Sequence, residues 1–213
     1  MKLKLPDFKY ETKLWRRGYK YIGGVDEVGR GSFAGPLVAG CVVFRKNQEI
    51  NVAINDSKKL TQKMREKANE WIKNNALAYG IGRASVSEIN KFGITKATNL
   101  AFRRSITDCQ NNAGLKIDYL LIDAFYVPYV KGLRRKNQMP VVKGDTKSIS
   151  IAAASIIAKV YRDALMARLS RNPKYKKYKW DKNKGYGTKE HRKAIDRYGK
   201  SRLHRVSFLL EFD

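Results

Sequence analysis

The chain has 213 residues, of which 45 are Lys or Arg and 19 are Asp or Glu, so the formal net charge is +26 at pH 7. This length suits one domain with a sizeable core, or one domain with a small addition. The positive residues run through most of the chain, which favours binding to nucleic acid phosphates and excludes a neutral domain with a basic tail.

The apolar segments argue against a membrane protein. The longest runs, such as residues 38–44, are too short to cross a bilayer, and residues 1–20 are charged and lack an apolar signal region. Cys41 and Cys109 have no partners at metal-ligand spacing, which predicts inert core thiols. We therefore expect a soluble, cytoplasmic protein.

The first part of the chain is predicted to alternate helices with strands. Thr61 is a candidate N-cap for a helix whose apolar residues Met64, Ala68, Trp71 and Ile72 are spaced three to four apart. A short helix is expected over residues 11–18, and strands are expected over residues 21–25, 37–45 and 76–85.

The second part repeats one design, an apolar strand that ends in an acidic residue. Residues 119–123 end at Asp123, and residues 139–145 end at Asp145. Helices are expected over residues 94–110, 148–169 and 188–198, the last within a very basic segment from residue 170 to 213. The small residues Ala152–Ala154 should permit close packing on the sheet. This order predicts a mixed α/β sheet with helices on both faces.

Four acidic residues stand at the predicted strand ends: Asp26, Glu27, Asp123 and Asp145. Ligands of open α/β sheets bind at the carboxyl ends of the strands, where these carboxylates would converge. Divalent cations would neutralise their repulsion, and hard oxygen ligands favour Mg²⁺ or Mn²⁺. Two such ions can activate water and stabilise the leaving oxygen of a phosphoryl transfer. The pattern equally allows each acid to be a separate turn or capping residue.

Asp26 and Glu27 are consecutive, and consecutive side chains of a regular strand point to opposite faces. Both can reach one site only if the strand breaks there, and we expect Gly29 and Gly31 to supply the break. Glycine also lets the backbone approach a ligand closely.

Ordered motifs extend over nearly the whole chain. They are residues 26–36 (DEVGRGSFAGP), 56–60 (DSKKL), 121–123 (LID), 143–145 (KGD), 150–163 (SIAAASIIAKVYRD), 184–191 (KGYGTKEH) and 204–208 (HRVSF). This set resembles the ribonuclease HII family, the type 2 ribonucleases H. Two departures occur: Ser32-Phe33 replaces a common Pro-Leu, and Ala124-Phe125 follows Asp123 where Gly-Asn is frequent.

The resemblance implies a fold and an activity. The fold would be ribonuclease H-like, a five-stranded mixed sheet flanked by helices, in one domain over residues 1–213 with a basic C-terminal helical part over residues 173–213. The activity would be hydrolysis of the RNA strand of RNA–DNA hybrids. The family also cuts 5′ to single ribonucleotides in duplex DNA and leaves 5′-phosphate and 3′-hydroxyl ends.

The resemblance also assigns roles to residues. Asp26, Glu27, Asp123 and Asp145 would be the catalytic acids that bind two divalent ions, Mg²⁺ or Mn²⁺. Substrate contacts would come from Gly29, Arg30, Gly31, Asp56, Ser57, Lys58, Lys143 and Tyr186.

The expected substrate contacts agree with simple chemistry. The 2′-hydroxyl distinguishes RNA from DNA at a single nucleotide, and the backbone of Gly29-Arg30-Gly31 would approach it. Tyr186 would stack on the next sugar, and the Ser57 hydroxyl and Lys58 ammonium would donate to a phosphate.

Two other functions stay open at the sequence level. One is a nuclease of the same superfamily that acts on DNA, and the other is a basic RNA-binding protein without activity. The substrate would be an RNA–DNA hybrid or a duplex with ribonucleotides, bound by a monomer. Residues 208–213 only weakly suggest a tail that binds a sliding clamp.

Individual residues have competing interpretations. Asp163, next to Arg162, is expected to form a structural ion pair or cap rather than act as a fifth catalytic acid. His191 is expected to be a surface or hydrogen-bonding residue. Arg30 either contacts phosphate or braces its loop. The aromatic residues Tyr175, Tyr178 and Trp180 alternate with lysines, which suits either a duplex-binding surface or packing against the core.

Overall fold

The computed structural model describes residues 5–208 of the chain. The strands are β1 (Ile22–Val28), β2 (Leu37–Val43), β3 (Ala78–Ala84), β4 (Tyr119–Asp123) and β5 (Gln138–Val141). The helices are α1 (Lys9–Arg16), α2 (Gln62–Asn75), α3 (Val86–Ala113), α4 (Ile149–Ser170), α5 (Pro173–Lys176), α6 (Trp180–Asn183) and α7 (Lys189–Tyr198). In the described range, no helix is both long and apolar enough to span a membrane.

The five strands form one mixed sheet in the order β3-β2-β1-β4-β5. β1 is antiparallel to β2, and β2 to β3, whereas β1, β4 and β5 run parallel to one another. The carboxyl ends of β1, β4 and β5 therefore lie at the same edge of the sheet, as the sequence predicts.

Helices cover both faces of the sheet, which confirms the predicted layer order. On one face, α3 places Phe102 and Ile106 in a core with Val25 and Ile122. On the other face, α4 buries Ala152–Ala154 completely, together with apolar residues of α2. A Cβ atom on Gly40 of β2 would lie 2.3 Å from the Ala154 carbonyl oxygen, so the predicted close packing depends on a small residue on each side.

Two parts of the chain differ from the predicted elements. The helix expected over residues 94–110 is present, but the prediction missed a helical segment before it, which begins at Val86, where Ser85 and Glu88 form a capping box, and is separated from it by a kink at Gly93, whose φ is +77°. The strand expected over residues 139–145 ends at Val141, because Lys143 adopts a left-handed conformation and turns the chain. Asp145 consequently lies in a short 3₁₀ turn (Gly144–Thr146) and not at a strand end.

The C-terminal part contains α5 and α6 in addition to the predicted α7. Tyr175, Tyr178 and Trp180 are almost fully buried, and the rings of Tyr175 and Tyr178 stack on Trp180 at centroid distances of 5.1 and 5.3 Å. These aromatic residues pack the C-terminal part together and do not form an exposed duplex-binding surface.

Candidate active site

A pocket of about 440 Å³ opens at the carboxyl edge of the parallel strands. All four predicted acids, Asp26, Glu27, Asp123 and Asp145, line it. Because β1 pairs with β4 in a register that ends at Val25 and Ile122, the next residue of each strand, Asp26 and Asp123, stand side by side at this edge.

The predicted strand break at Asp26 and Glu27 is wrong. β1 remains paired with β2 through both residues and ends only after Val28. Pairing with β4, however, stops at Val25, so the edge of β1 that faces the pocket is free from Asp26 onward. Asp26 lies on the α4 side, and its Oδ1 accepts the backbone N–H of Glu27 at 2.7 Å. Glu27 lies beside Arg30, 3.9 Å from its guanidinium.

The turn that carries Asp145 is tied to the end of β4. The backbone N–H of Gly144 donates to Asp123 Oδ1 at 2.7 Å. This bond holds the turn against the strand and brings Asp145 to the pocket although it lies four residues beyond β5.

Electrostatics raise the pKa of three of the four acids. Burial raises the pKa of Asp26 well above its ordinary value, and the nearby charges of Glu27 and Asp123 raise it further. Burial raises the pKa of Glu27 to about 7, against the opposing effect of Arg30. Burial, followed by Asp56 and Asp123, also raises the pKa of Asp145. The pocket thus concentrates negative charge that a cation would stabilise.

The donor set fits a hard divalent ion, because it consists of carboxylate oxygens that repel one another. Within residues 5–208, no three His, Cys, Asp or Glu side chains converge closely enough to hold a metal ion as they stand. Binding would therefore require the carboxylates to draw together. The attraction of the cation would drive this movement, because a bound cation offsets the burial and the neighbouring acids that raise the pKa values of Asp26, Glu27 and Asp145.

Six of the eight predicted substrate-binding residues also line this pocket: Gly29, Arg30, Gly31, Ser57, Lys58 and Tyr186. The other two, Asp56 and Lys143, do not. The Asp56 carboxylate accepts the backbone N–H of Lys58, and Lys143 lines a neighbouring pocket with Lys9, Lys13, Lys59 and Lys147.

The Ser57 hydroxyl, which is expected to donate to a substrate phosphate, already contacts another side chain. This hydroxyl is buried and lies 3.1 Å from the hydroxyl of Ser155.

Arg30 stacks on Phe125, with its guanidinium carbon 5.1 Å from the ring centroid, and this contact together with Glu27 braces the loop. The preceding Ala124 has a φ of +67°, a conformation that the glycine frequent in the family adopts without strain.

Sequence reasoning missed three residues that line the pocket: Val28 of β1, and Ser155 and Lys159 of α4. For Lys159, the available signal was its spacing from Asp163, four residues along the helix. Lys159 Nζ lies 2.8 Å from Asp163 Oδ1, so Asp163 forms the expected structural ion pair, with Lys159 rather than Arg162.

The two histidines are internal. His191 is fully buried, accepts a hydrogen bond from Trp180 Nε1 at 3.0 Å and lies 3.2 Å from the corresponding nitrogen of His204. It is a hydrogen-bonding residue, as expected, but not a surface one. The suggested clamp-binding tail, residues 208–213, lies outside the described residues apart from Phe208.

Comparison with curated proteins gives extensive sequence similarity. Ribonuclease HII of Clostridioides difficile (strain 630) is 48% identical over 200 residues, which cover 94% of this chain and 74% of that protein. Ribonuclease HII of Wolbachia sp. subsp. Brugia malayi (strain TRS) is 48% identical over 203 residues, which cover 95% of this chain and 93% of that protein.

Solved structures share the fold. Ribonuclease H2 of Pyrococcus horikoshii OT3 has a TM-score of 0.69 at 24% identity and covers 88% of this chain and 93% of its own. RNase HII of Archaeoglobus fulgidus, solved in complex with PCNA, has a TM-score of 0.67 at 25% identity over 87% of this chain and 94% of its own. Bst-RNase HIII, solved in complex with Mn²⁺, has a TM-score of 0.59 at 18% identity over 85% of this chain and 71% of its own.

These structures confirm the predicted ribonuclease H-like fold. A model of the ribonuclease HII family matches residues 23–210, a range that contains all four acids, the Gly29-Arg30-Gly31 loop and Tyr186. The chain therefore belongs to the ribonuclease HII family, whose members are metal-dependent hydrolases of RNA–DNA hybrids.

Proposed function

We propose that this enzyme, in addition to hydrolysing the RNA strand of hybrids, cuts 5′ to single ribonucleotides embedded in duplex DNA with the aid of two divalent ions. One observation carries the proposal. The pocket lined by Asp26, Glu27, Asp123 and Asp145 is also lined by Gly29-Arg30-Gly31 and Tyr186. A cluster of acids alone would suit any phosphoryl transfer, whereas a close backbone loop and an aromatic ring suit recognition of one sugar.

The acids would hold the ions, Mg²⁺ or Mn²⁺. When bound, such ions can activate a water molecule and stabilise the leaving oxygen of the phosphate. Bst-RNase HIII, which shares the fold, was solved with Mn²⁺. The chain's own contribution is a partly buried site in which the N–H groups of Glu27 and Gly144 fix the orientations of Asp26 and Asp123. Fixed ligands lower the cost of assembling the site for reaction.

Substrate recognition would come from the other residues that line the pocket. The loop around Gly31 would approach the 2′-hydroxyl, and the half-buried Tyr186 ring would stack on the neighbouring sugar. Lys58 would grip the backbone phosphate, and Lys143 a phosphate farther along, in the neighbouring lysine-lined pocket. The Ser57 hydroxyl would have to leave Ser155 to take part.

Three further parts of the proposal concern the protein as a whole. We infer a monomer, located in the cytoplasm. PCNA binding by the RNase HII of Archaeoglobus fulgidus makes a sliding clamp a candidate partner here. Apart from Phe208, the residues that would form the clamp-binding tail, 208–213, lie outside the described residues.

The test uses three duplexes: one with a single ribonucleotide, one with a complete RNA strand, and one of DNA only. We expect cutting of the first two and not of the third, only when Mg²⁺ or Mn²⁺ is present, with a 5′-phosphate on the downstream product. Cutting of the DNA duplex would favour a DNA-acting nuclease of the superfamily. Binding without cutting in either metal would favour a non-enzymatic RNA-binding protein.

A further inference from the structure

Two arginines outside the catalytic pocket are buried, and no carboxylate within residues 5–208 pairs with either. The side chains of Arg162 on α4 and Arg205, after α7, are inaccessible to solvent. Among the residues that the structure describes, neither guanidinium forms an ion pair. Burying an unpaired guanidinium costs several kcal/mol. We therefore expect these two arginines to have a role that depends on their hydrogen bonds and that an apolar residue could not fill.

The partners of both guanidinium groups are backbone carbonyl oxygens. Arg162 donates to Ala34, Pro36 and Lys184 at 3.2, 3.0 and 2.9 Å. Arg205 donates twice to Gly35, at 3.0 and 2.9 Å, and once to Arg30, at 2.8 Å. These carbonyls lie in two segments, residues 30–36, which begin within the Gly29-Arg30-Gly31 loop, and the segment that leads into Tyr186.

Arg162 contacts both parts of the proposed sugar-recognition site directly. It packs under Gly29, where a Cβ atom would lie 2.1 Å from its Nε atom. Its guanidinium carbon also lies 5.4 Å from the centroid of the Tyr186 ring, at cation–π distance.

Arg205 acts from the other side of the same segment. Its backbone N–H donates to Phe33 at 2.8 Å, and the N–H groups of Phe33 and Ala34 donate to Gly185, next to Tyr186, at 2.8 and 3.1 Å. Residues 33–36 are thus held between residues 184–186 and residues 203–205.

We propose that Arg162 and Arg205 are positioning residues that fix the Gly29-Arg30-Gly31 loop relative to Tyr186 and thereby determine selectivity for a single embedded ribonucleotide. This inference rests on the proposed function. The guanidinium group suits the task because it is planar and presents five donors in a rigid fork. Lysine keeps the charge but offers one ammonium, which cannot bridge two chain segments in the same way.

The test compares Arg162→Lys and Arg205→Lys with a matched control, Arg104→Lys. Arg104 forms two hydrogen bonds with Glu88 on the partly exposed surface of α3 and does not line the catalytic pocket. For each protein, kcat and KM are measured on the single-ribonucleotide duplex and on a full RNA–DNA hybrid. Tyr186→Ala serves as the reference for loss of sugar recognition, and thermal melting establishes that each variant is folded.

For both buried arginines we expect the ratio of kcat/KM on the single ribonucleotide to kcat/KM on the hybrid to fall by about tenfold or more. The loss should appear in kcat, because phosphate contacts dominate binding. A hybrid offers a 2′-hydroxyl at every nucleotide of one strand, so a displaced loop still finds one. In Arg104→Lys, the ratio should stay within about twofold of wild type.

Each folded lysine variant is judged on its own. A ratio within about twofold of wild type in a folded variant would overturn the proposal for that residue. Failure of both variants to fold would assign the arginines to global stability and also overturn it. If the wild-type protein cuts hybrids but never a single ribonucleotide, the proposed function fails first, and this inference falls with it.

Discussion

Asp26 and Glu27 are adjacent in the sequence but differ in their surroundings. Asp26 is 6% exposed and accepts the backbone N–H of Glu27 at 2.7 Å, whereas Glu27 has a cation, Arg30, on its open side. Burial of an acid between two other acids destabilises its charged form. Asp26 is thus retained at a cost to stability, as expected of a residue that serves function.

Replacing Asp26 with Asn tests this conclusion. The neutral amide removes the repulsion from Glu27 and Asp123, so we expect the melting temperature of Asp26→Asn to equal or exceed that of wild type. Cleavage of the hybrid should fall by at least about a hundredfold, while duplex binding in the absence of metal persists. Wild-type turnover by a folded Asp26→Asn protein would contradict a catalytic role.

The two glycines of the loop can be separated by mutation. Gly29 has a φ of +88° and lies against Arg162, so the fold itself requires glycine there. A Cβ atom on Gly31 would meet nothing within 4 Å, and its φ is not positive. The protein's own packing therefore does not explain Gly31, whereas close approach of a substrate would.

We predict that Gly31→Ala changes the free energy of unfolding by less than about 0.5 kcal/mol but lowers single-ribonucleotide cleavage by about tenfold or more. The matched variant Gly29→Ala should instead lose about 1–3 kcal/mol, because alanine is strained in this conformation and collides with Arg162. Denaturant titration and cleavage assays on both variants measure the two effects. Full activity in Gly31→Ala would mean that the substrate does not approach this glycine.

At the scale of elements, local sequence signals predict most of the sheet. β2, β3 and β4 lie within their expected ranges, because apolar and β-branched runs bounded by polar turns are local features. The end of β5 could not be predicted in this way. Left-handed residues are usually glycine or asparagine, and the one that ends this segment is Lys143.

The residues of the candidate site likewise fall into those that local sequence signals predict and those that depend on long-range contacts. The four acids could be predicted because they follow apolar runs and resemble a family motif. The arginines could not, since their partners are carbonyl groups as far away in sequence as 128 residues for Arg162 and 175 for Arg205. Every residue has a backbone carbonyl, so no residue type in the sequence indicates which carbonyls these arginines contact.

The C-terminal elements should be sensitive to acid. Burial, with help from the charges of His191 and Lys200, lowers the pKa of His204 to about 4, from an unfolded value of about 6.5. Between these pH values, His204 is protonated in the unfolded chain but neutral in the folded protein. Its contribution to the free energy of unfolding is therefore fully present above about pH 6.5 and is lost as the pH falls toward 4.

We expect His204 to account for a loss of about 2 kcal/mol in the free energy of unfolding between pH 7 and pH 5. In His204→Gln this contribution should disappear, although the variant starts from a lower stability. Denaturant titrations of both proteins at the two pH values isolate the effect, because the carboxylates contribute equally to each. Parallel pH dependence in the two proteins would exclude His204 as the source.

At the scale of the whole molecule, charge is the dominant property. With 45 basic and 19 acidic residues, one-to-one pairing would still leave 26 cations, the formal net charge of +26. Part of this excess surrounds the neighbouring pocket that Lys9, Lys13, Lys59, Lys143 and Lys147 line. The catalytic pocket is thus a small acidic region in a strongly positive field, which attracts phosphates while the acids select cations.

Duplex affinity should therefore depend steeply on salt. For Asp26→Asn, which allows binding without cutting, we expect Kd to rise by at least about tenfold between 0.05 and 0.2 M salt, because bound counterions are released from each phosphate contacted. A Lys143→Ala, Lys147→Ala double variant should lower the logarithmic salt slope by about 2 if both lysines contact phosphate. Fluorescence anisotropy measures both, and a flat salt response of Asp26→Asn would contradict the electrostatic account.

The long-range bonds of Arg205 have a consequence for biosynthesis. Translation proceeds toward the C-terminus, so all four acids, of which Asp145 is the last, are made before Arg205. The hydrogen bonds of the Arg205 guanidinium to the carbonyls of Arg30 and Gly35, however, cannot form until residue 205 has left the ribosomal exit tunnel. In a nascent chain, the catalytic acids would therefore be present before the sugar-recognition loop is fixed, and selectivity for the ribonucleotide would be acquired last.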